Sequence, residues 1–93
     1  MTVNIEDLRR KIDAIDENII DCFCKRMEIA SAIADHKREN DLPIHVPQRE
    51  EAVLDRVAQQ AGPEFSDAAR QLYKTIFQIS RDHQQNRNSE VEK

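Results

Sequence analysis

The chain has 93 residues and a formal net charge of −4. This length fits a single domain, here residues 1–93, and the acidic balance argues against a general nucleic-acid-binding protein, which presents a basic surface. Residues 1–4 contain neither a basic nor an apolar segment, and no apolar run approaches the about 20 residues that span a bilayer. We therefore expect a cytoplasmic protein without a secretion signal or a membrane-spanning segment.

The core available to one copy of the chain is small. Only 39% of the residues are hydrophobic, and the aromatic residues are three Phe and one Tyr. A chain of this size buries only about 60–65% of the surface that its unfolded form exposes. Pairing with a second copy would therefore stabilise it.

The first predicted helix runs from about Ile5 to about Asn40, with Asn4 as its N-cap. At 1.5 Å per residue it would be about 54 Å long, about twice the diameter of a compact domain of this size. A second copy is the simplest cover for so long a helix. Apolar residues recur at spacings of three and four, which indicates one helix face; they are Ile5, Leu8, Ile12, Ile15, Ile19, Cys22, Ile29 and Ile33.

A connector, residues 41–47, leads to the second predicted helix, which runs from about Pro47 to Ala61. Proline suits the first turn of a helix because its missing N–H is not needed there. Glycine followed by proline ends a helix, and both occur directly after Ala61. The apolar face of this helix consists of Val53, Leu54, Val57, Ala58 and Ala61.

The third predicted helix begins after a Ser66 cap, continues to about Gln85, and is followed by a polar tail of about residues 86–93. Its apolar face consists of Ala69, Leu72, Tyr73, Ile76, Phe77 and Ile79. No alternation typical of strands occurs. The predicted fold class is therefore all-α, with three helices and a very long first helix.

Cations interrupt or flank the apolar face of the first helix. Arg26 occupies a position of that face, and Arg9 and Lys37 lie beside it. A buried cation is costly unless an anion pairs with it. An internal ion pair, exposure of the charged end of the long side chain and an anionic ligand all remain open as explanations.

The other two helices also carry polar residues beside apolar ones. Glu50 shares the inward face of Val53 and Leu54, Arg49 precedes it, and Ser80 and Gln84 lie one turn apart on the third helix. An acid that stabilises a helix start and a solvated helix end are the alternatives to a site.

The candidate set combines four cations, one carboxylate and two neutral hydrogen-bonding groups: Arg9, Arg26, Lys37, Arg49, Glu50, Ser80 and Gln84. No nucleophile–base pair, glycine-rich phosphate loop or metal-ligand spacing accompanies them, and the histidines His36, His45 and His83 are scattered. The set suits a small, multiply anionic substrate that reacts through positioning and electrostatics, without a metal or covalent intermediate.

Four segments, in order and with matching gaps, resemble the small all-helical chorismate mutases. They are residues 8–16 (LRRKIDAID), residues 26–30 followed by Lys37, residues 47–50 (PQRE, similar to the family's PxRE start of the second helix), and residues 76–84, with the pattern IxxxSxxxQ. The resemblance extends from about Glu6 to Gln84.

The resemblance implies an intertwined homodimer with two shared active sites. Each site would take Arg9 from one chain and its other residues from the partner. The substrate would be chorismate, rearranged to prephenate without a cofactor in aromatic amino acid biosynthesis, the shikimate pathway. A non-covalent partner enzyme of that pathway is compatible with the short chain.

The resemblance also implies roles for individual residues. Lys37 and Gln84 would contact the ether oxygen of the breaking bond, and Glu50 would hold the ring hydroxyl. Arg49 would support the pocket. The residues that bind the substrate or line its site would be Arg9, Arg26, Arg49, Ser80 and Val46.

Val46 departs from the family pattern, because many relatives have an aspartate there. A 4-amino-4-deoxychorismate mutase is therefore an alternative on the same scaffold. An isochorismate-pyruvate lyase, which would share Arg9, Arg26, Lys37 and Gln84, is another, and a non-enzymatic helical dimerisation module is a more distant one. Glu50 favours a mutase over a lyase, because the family's lyases lack an acid at that position.

Overall fold

A computed structural model describes residues 4–92 of the chain, with side chains up to Arg87. Within this range the chain is all-α, in the order α1 (Ile5–Glu39), α2 (Pro47–Ala61) and α3 (Ser66–Glu92). The predicted bounds of α1 and α2 are confirmed to within one residue. None of the described helices is both long and apolar enough to cross a membrane.

The chain divides between Ala32 and Ile33 into two compact units, and the division falls within α1. The first unit contains most of α1, and the second contains the end of α1 together with α2 and α3.

The start of α1 has the predicted cap, because the Asn4 side-chain Oδ1 accepts a hydrogen bond from the Glu6 backbone N–H at 2.9 Å. The apolar face of α1 is exposed in the single chain, with 44–59% of each of its first five residues accessible to solvent: Ile5, Leu8, Ile12, Ile15 and Ile19. The two cysteines, Cys22 and Cys24, are both exposed in the single chain. Cys22 belongs to this same uncovered face.

The end of α1 is a tight reversal of the backbone. The Leu42 N–H donates to the Lys37 carbonyl at 2.8 Å, and the Asp41 N–H donates to the Arg38 carbonyl at 3.3 Å. This pair of bonds is the Schellman motif, which needs a left-handed residue just past the helix end. Asp41 takes that conformation, with φ of 55°.

The described core lies between α2 and α3. Val53, Leu54 and Val57 of α2 are buried together with Phe77 of α3. Tyr73 packs against this cluster, with its ring edge-on to the Phe77 ring at a centroid distance of 6.1 Å. Each fully buried aliphatic or aromatic side chain of this kind contributes roughly 1.5–3 kcal/mol to folding.

Gly62 separates α2 from the turn that leads to α3. Its N–H donates to the Gln59 carbonyl at 3.3 Å, and its φ and ψ are 83° and 169°. Only glycine adopts this region readily, because a Cβ would strain the backbone there. The predicted stop after Ala61 is thus confirmed.

The structure corrects both ends of the third predicted helix. Ser66 is the first helical residue and not the cap; its hydroxyl donates to the Pro63 carbonyl at 3.5 Å, and the Phe65 carbonyl accepts the Ala69 N–H at 2.8 Å. The helix also continues to Glu92, so most of the predicted polar tail is helical, while Lys93 lies outside the described residues. No Gly or Pro interrupts residues 86–92, so nothing in that sequence breaks the helix.

The two left-handed positions predict opposite effects on stability. Gly62→Ala should lower the free energy of unfolding by about 1–3 kcal/mol from backbone strain alone, because an added Cβ meets no atom within 4 Å. Asp41→Gly should raise it by up to about 1 kcal/mol, since it relieves strain and removes an acid from a helix C-terminus.

Urea unfolding followed by circular dichroism, at one fixed protein concentration, measures both changes. A Gly62→Ala variant as stable as the parent would contradict the backbone conformation assigned to Gly62.

Candidate active site

Glu50, Ser80 and Gln84 come together where the first turn of α2 meets the second half of α3. The Glu50 carboxylate oxygen Oε2 accepts a hydrogen bond from Arg81 Nη1, so Glu50 lies against the α3 segment that follows Ser80. Ser80 is buried, with 7% of its surface exposed, and Gln84 Nε2 donates to Ser80 Oγ at 3.3 Å. All of these residues belong to the second unit.

The sequence spacing explains this meeting of polar groups. On α2, Glu50 precedes the buried residues Val53 and Leu54 by three and four positions, so it lies on the same helix face. On α3, Ser80 follows the buried Phe77 by three positions, and Gln84 lies one turn further. The polar groups therefore continue the two faces that pack against each other.

Lys37 is half-buried in the last turn of α1. Its ammonium Nζ donates to the Ile44 backbone carbonyl at 3.2 Å. The reversal at Asp41 brings the connector back along the helix and makes this contact possible. An ammonium has three N–H donors, so Lys37 can keep this bond and also donate to an anion.

A second polar contact ties the end of α1 to α3. Arg87 Nη2 donates to Asp35 Oδ2 at 3.1 Å, and each side chain is about one-third exposed. Arg38 Nη2 approaches the other Asp35 oxygen at 3.4 Å. Arg87 lies three residues after Gln84 on α3, so this contact holds the turn that carries Gln84 beside the end of α1.

Val46 and Arg49 surround the start of α2. Val46 is half-buried, and its carbonyl accepts the backbone N–H groups of Arg49 at 3.1 Å and of Glu50 at 3.2 Å. Val46 therefore provides the backbone cap of α2, with no side-chain cap. The Arg49 side chain is exposed.

Arg9 and Arg26 lie on α1 in the first unit. Arg9 is exposed, and its Nη1 donates to Glu6 Oε1 at 3.2 Å within the first turns of the helix. Arg26 is half-buried. The contact between Arg9 and Glu6 is of the (i, i+3) kind and, being exposed, contributes little to stability.

The structure adds residues that the sequence interpretation missed. Arg81 binds Glu50, and Asp35 and Arg87 join α1 to α3. No local spacing identifies these partners, because 31 residues separate Glu50 from Arg81 and 52 separate Asp35 from Arg87.

Glu50, Ser80 and Gln84 combine one carboxylate with hydrogen-bond donors, and Lys37 adds an ammonium in the last turn of α1. Lys37, Ser80 and the Gln84 amide can donate to an anion or an electron-rich oxygen, whereas Glu50 can accept from a hydroxyl. Among the described residues, no three His, Cys, Asp or Glu side chains are grouped so that they could hold a metal ion. The arrangement suits recognition and electrostatic stabilisation of a small polar molecule.

Comparison with known proteins gives concordant matches. The chain is 33% identical over 57 residues to a chorismate mutase of Methanocaldococcus jannaschii. This alignment covers 61% of this chain and 58% of that protein. It is 34% identical over 70 residues to an intracellular chorismate mutase of Mycolicibacterium smegmatis. That alignment covers 75% of this chain and 67% of the relative. No solved structure gives a significant match.

Other relatives are much longer than this chain. The similarity to a bifunctional chorismate mutase/prephenate dehydratase of Aquifex aeolicus, at 38% identity over 53 residues, covers 57% of this chain but only 15% of that protein.

The family profile described as chorismate mutase type II matches residues 8–85. These residues are most of the chain, and the fold within them is the all-α arrangement that the resemblance implied. The chain therefore belongs to the chorismate mutase type II family.

Proposed function

We propose that the chain is a chorismate mutase, which converts chorismate to prephenate by an intramolecular [3,3] rearrangement. The observation that carries the proposal is the family match over residues 8–85, a range that contains every candidate site residue. The meeting of Glu50, Ser80 and Gln84 at one end of the α2–α3 contact supports it further.

The reaction needs positioning and charge stabilisation, with no external nucleophile or proton donor. One carbon–oxygen bond of the enolpyruvyl ether breaks while one carbon–carbon bond forms in the same molecule. Negative charge develops on the ether oxygen as its bond to the ring lengthens. Donors placed at that oxygen stabilise the transition state more than the ground state, and this is the role we assign to Lys37 and Gln84.

The remaining site residues would bind the substrate. Chorismate carries two carboxylates, and two guanidinium groups, Arg9 and Arg26, would pair with them through charge-assisted hydrogen bonds. Ser80 would donate to a carboxylate, and Glu50 would accept from the ring hydroxyl. Arg49 would support the pocket, and Val46 would line it.

We propose that a second copy of the chain covers the exposed apolar face of α1. The face repeats at spacings of three and four along a helix of 35 residues, about 52 Å. Such a repeat is typical of a seam between helices. The exposed side chains extend to Ile29 and Ile33, which are 62% and 50% exposed. A second copy offers an identical apolar face, so the pair is self-complementary.

In this homodimer each site would take Arg9 from one chain and its other residues from the partner.

The product, prephenate, would serve aromatic amino acid biosynthesis in the shikimate pathway. A non-covalent partner enzyme that consumes prephenate is part of the proposal, because a relative combines chorismate mutase with prephenate dehydratase in its name. Another relative is named intracellular, and we propose the cytoplasm for this chain.

The first prediction of the proposed function concerns Gln84. The parent protein should consume chorismate and form prephenate, and Gln84→Ala should lower kcat by about 100- to 1,000-fold, the usual cost of removing one donor to a developing negative charge. The measurement is loss of chorismate absorbance with identification of the product. Gln85→Ala, an exposed neighbour on the same helix, should change little.

No turnover of chorismate by the parent protein would refute the proposal. Turnover of isochorismate or of 4-amino-4-deoxychorismate in its place would identify one of the alternative activities, with Val46 as the first residue to exchange.

The second prediction tests the shared sites. Arg9→Ala and Lys37→Ala homodimers should each be nearly inactive. Unfolding and refolding them together in equal amounts should restore about one quarter of the parent activity, because half of the dimers are mixed and each mixed dimer has one intact site. Mixing Lys37→Ala with Gln84→Ala should restore none, since both residues would come from the same chain. Recovery in the control would contradict the arrangement.

The third prediction separates an enzyme from a dimerisation module. Arg26→Leu should keep the dimer, because leucine adds an apolar side chain to the face of α1 on which the two copies would pack. It should nevertheless remove most mutase activity, because one substrate carboxylate loses its partner. Sedimentation and activity measured on the same sample give both results. Full activity in a stable Arg26→Leu dimer would argue against a substrate-binding role for Arg26.

A further inference from the structure

The ion pair between Glu50 of α2 and Arg81 of α3 differs from the ion pairs within α1. It joins two helices across 31 residues, and both side chains are only 26% exposed. By contrast, Arg10 pairs with Asp7 one turn away, with both side chains mostly exposed. A partly buried pair between elements is screened less by water than an exposed pair within one helix.

The Arg81 guanidinium is itself held in place along α3. Its Nη2 donates to Gln78 Oε1 at 2.9 Å, while Gln78 Nε2 donates to Asp82 Oδ1 at 2.9 Å. Two of the guanidinium nitrogens therefore have fixed acceptors, Glu50 and Gln78. The planar guanidinium keeps these directions rigidly related, so the position of Arg81 determines the orientation of the Glu50 carboxylate.

The two oxygens of the Glu50 carboxylate differ in their surroundings. Arg81 binds Oε2, whereas Oε1 faces His45 Nε2 at 3.4 Å. The His45 side chain is about half exposed, so Oε1 lies on the more open side of the carboxylate. Each carboxylate oxygen can accept more than one hydrogen bond, and Oε1 is the better placed to receive one from a ligand.

We propose that Arg81 is a positioning residue that directs Glu50 Oε1 towards the substituent on the substrate ring and neutralises the carboxylate behind it. This inference rests on the proposed function. With Arg81 in place, the Glu50–Arg81 pair carries no net charge, so it accepts a neutral hydroxyl without attracting a cation. The pair therefore makes the site prefer a ring hydroxyl over a ring ammonium.

The preference follows from charge balance. 4-Amino-4-deoxychorismate carries an amine in place of the ring hydroxyl, and such an amine is largely protonated near neutral pH. Without Arg81, the Glu50 carboxylate would have an unbalanced negative charge, and this charge would attract the ammonium more strongly than the hydroxyl. Removal of Arg81 should therefore change selectivity as well as rate.

The test compares kcat/KM for chorismate and for 4-amino-4-deoxychorismate in the parent protein, Arg81→Leu and Arg81→Lys. For Arg81→Leu, kcat/KM for chorismate should fall by about 10- to 100-fold, which is the loss typical of removing a residue that orients a metal-binding side chain. The ratio of chorismate to the amine should fall by about tenfold or more. Arg81→Lys keeps the charge without the planar fork, so it should keep the preference for the hydroxyl while losing part of the rate.

Arg70→Leu is the matched control. Arg70 also joins α3 to α2, through Asp55 Oδ1 at 3.1 Å, but it lies eleven residues before Arg81. If Arg81 only held the two helices together, both leucine variants would lower kcat/KM for the two substrates in equal proportion. We expect Arg70→Leu to leave the ratio and the rate close to those of the parent.

An unchanged ratio in a folded Arg81→Leu variant would overturn the inference, even if both rates fell. If that variant does not fold, as judged by circular dichroism, Arg81→Gln replaces it. A ratio of chorismate to the amine that falls in Arg81→Gln but not in Arg81→Lys supports the inference. Equal ratios in these two variants overturn it. A parent protein that rearranges chorismate while the ratio stays fixed refutes only the role of Arg81. A parent protein inactive on chorismate refutes the proposed function as well.

Discussion

Burial of α2 against α3 determines where the polar residues of the second unit lie. Val53, Leu54 and Val57 pack with Phe77, and Glu50 and Ser80 lie one turn beyond this contact on their respective helices. Because a helix places residues three and four apart on one face, the apolar contact aligns the polar groups without any bond between them. The hydrogen bonds from Arg81 to Glu50 and from Gln84 to Ser80 then adjust the orientation of these side chains.

The same unit shows how a backbone carbonyl restrains a flexible lysine. The left-handed Asp41 returns the chain beside α1, and the Ile44 carbonyl receives the Lys37 ammonium. A long side chain loses considerable rotamer freedom when it binds a ligand. A backbone carbonyl that restrains the side chain beforehand lowers that loss, and a neutral carbonyl does not neutralise the positive charge of the ammonium.

Much of the fold could be predicted from simple sequence signals. The spacing of three and four residues indicated α1, and Pro47 and Gly62 marked the ends of α2. The predicted end of α3, at about Gln85, was wrong. Residues 86–92 are polar yet contain no helix breaker, so polarity alone did not indicate where the helix stops. The candidate residues came from local spacing and family resemblance. Arg81 was missed because its partner depends on helix packing across 31 residues, which no local pattern encodes.

If a second copy covers the exposed apolar face of α1, as we propose, folding depends on the amount of protein present. With a second copy as its cover, the folded state is favoured by association, and its stability rises with the logarithm of chain concentration. Diluted samples would then lose structure and activity together, at a dilution set by the affinity between the copies. In a cell, the rate of synthesis of this chain would determine not only how many molecules exist but also what fraction of them is assembled.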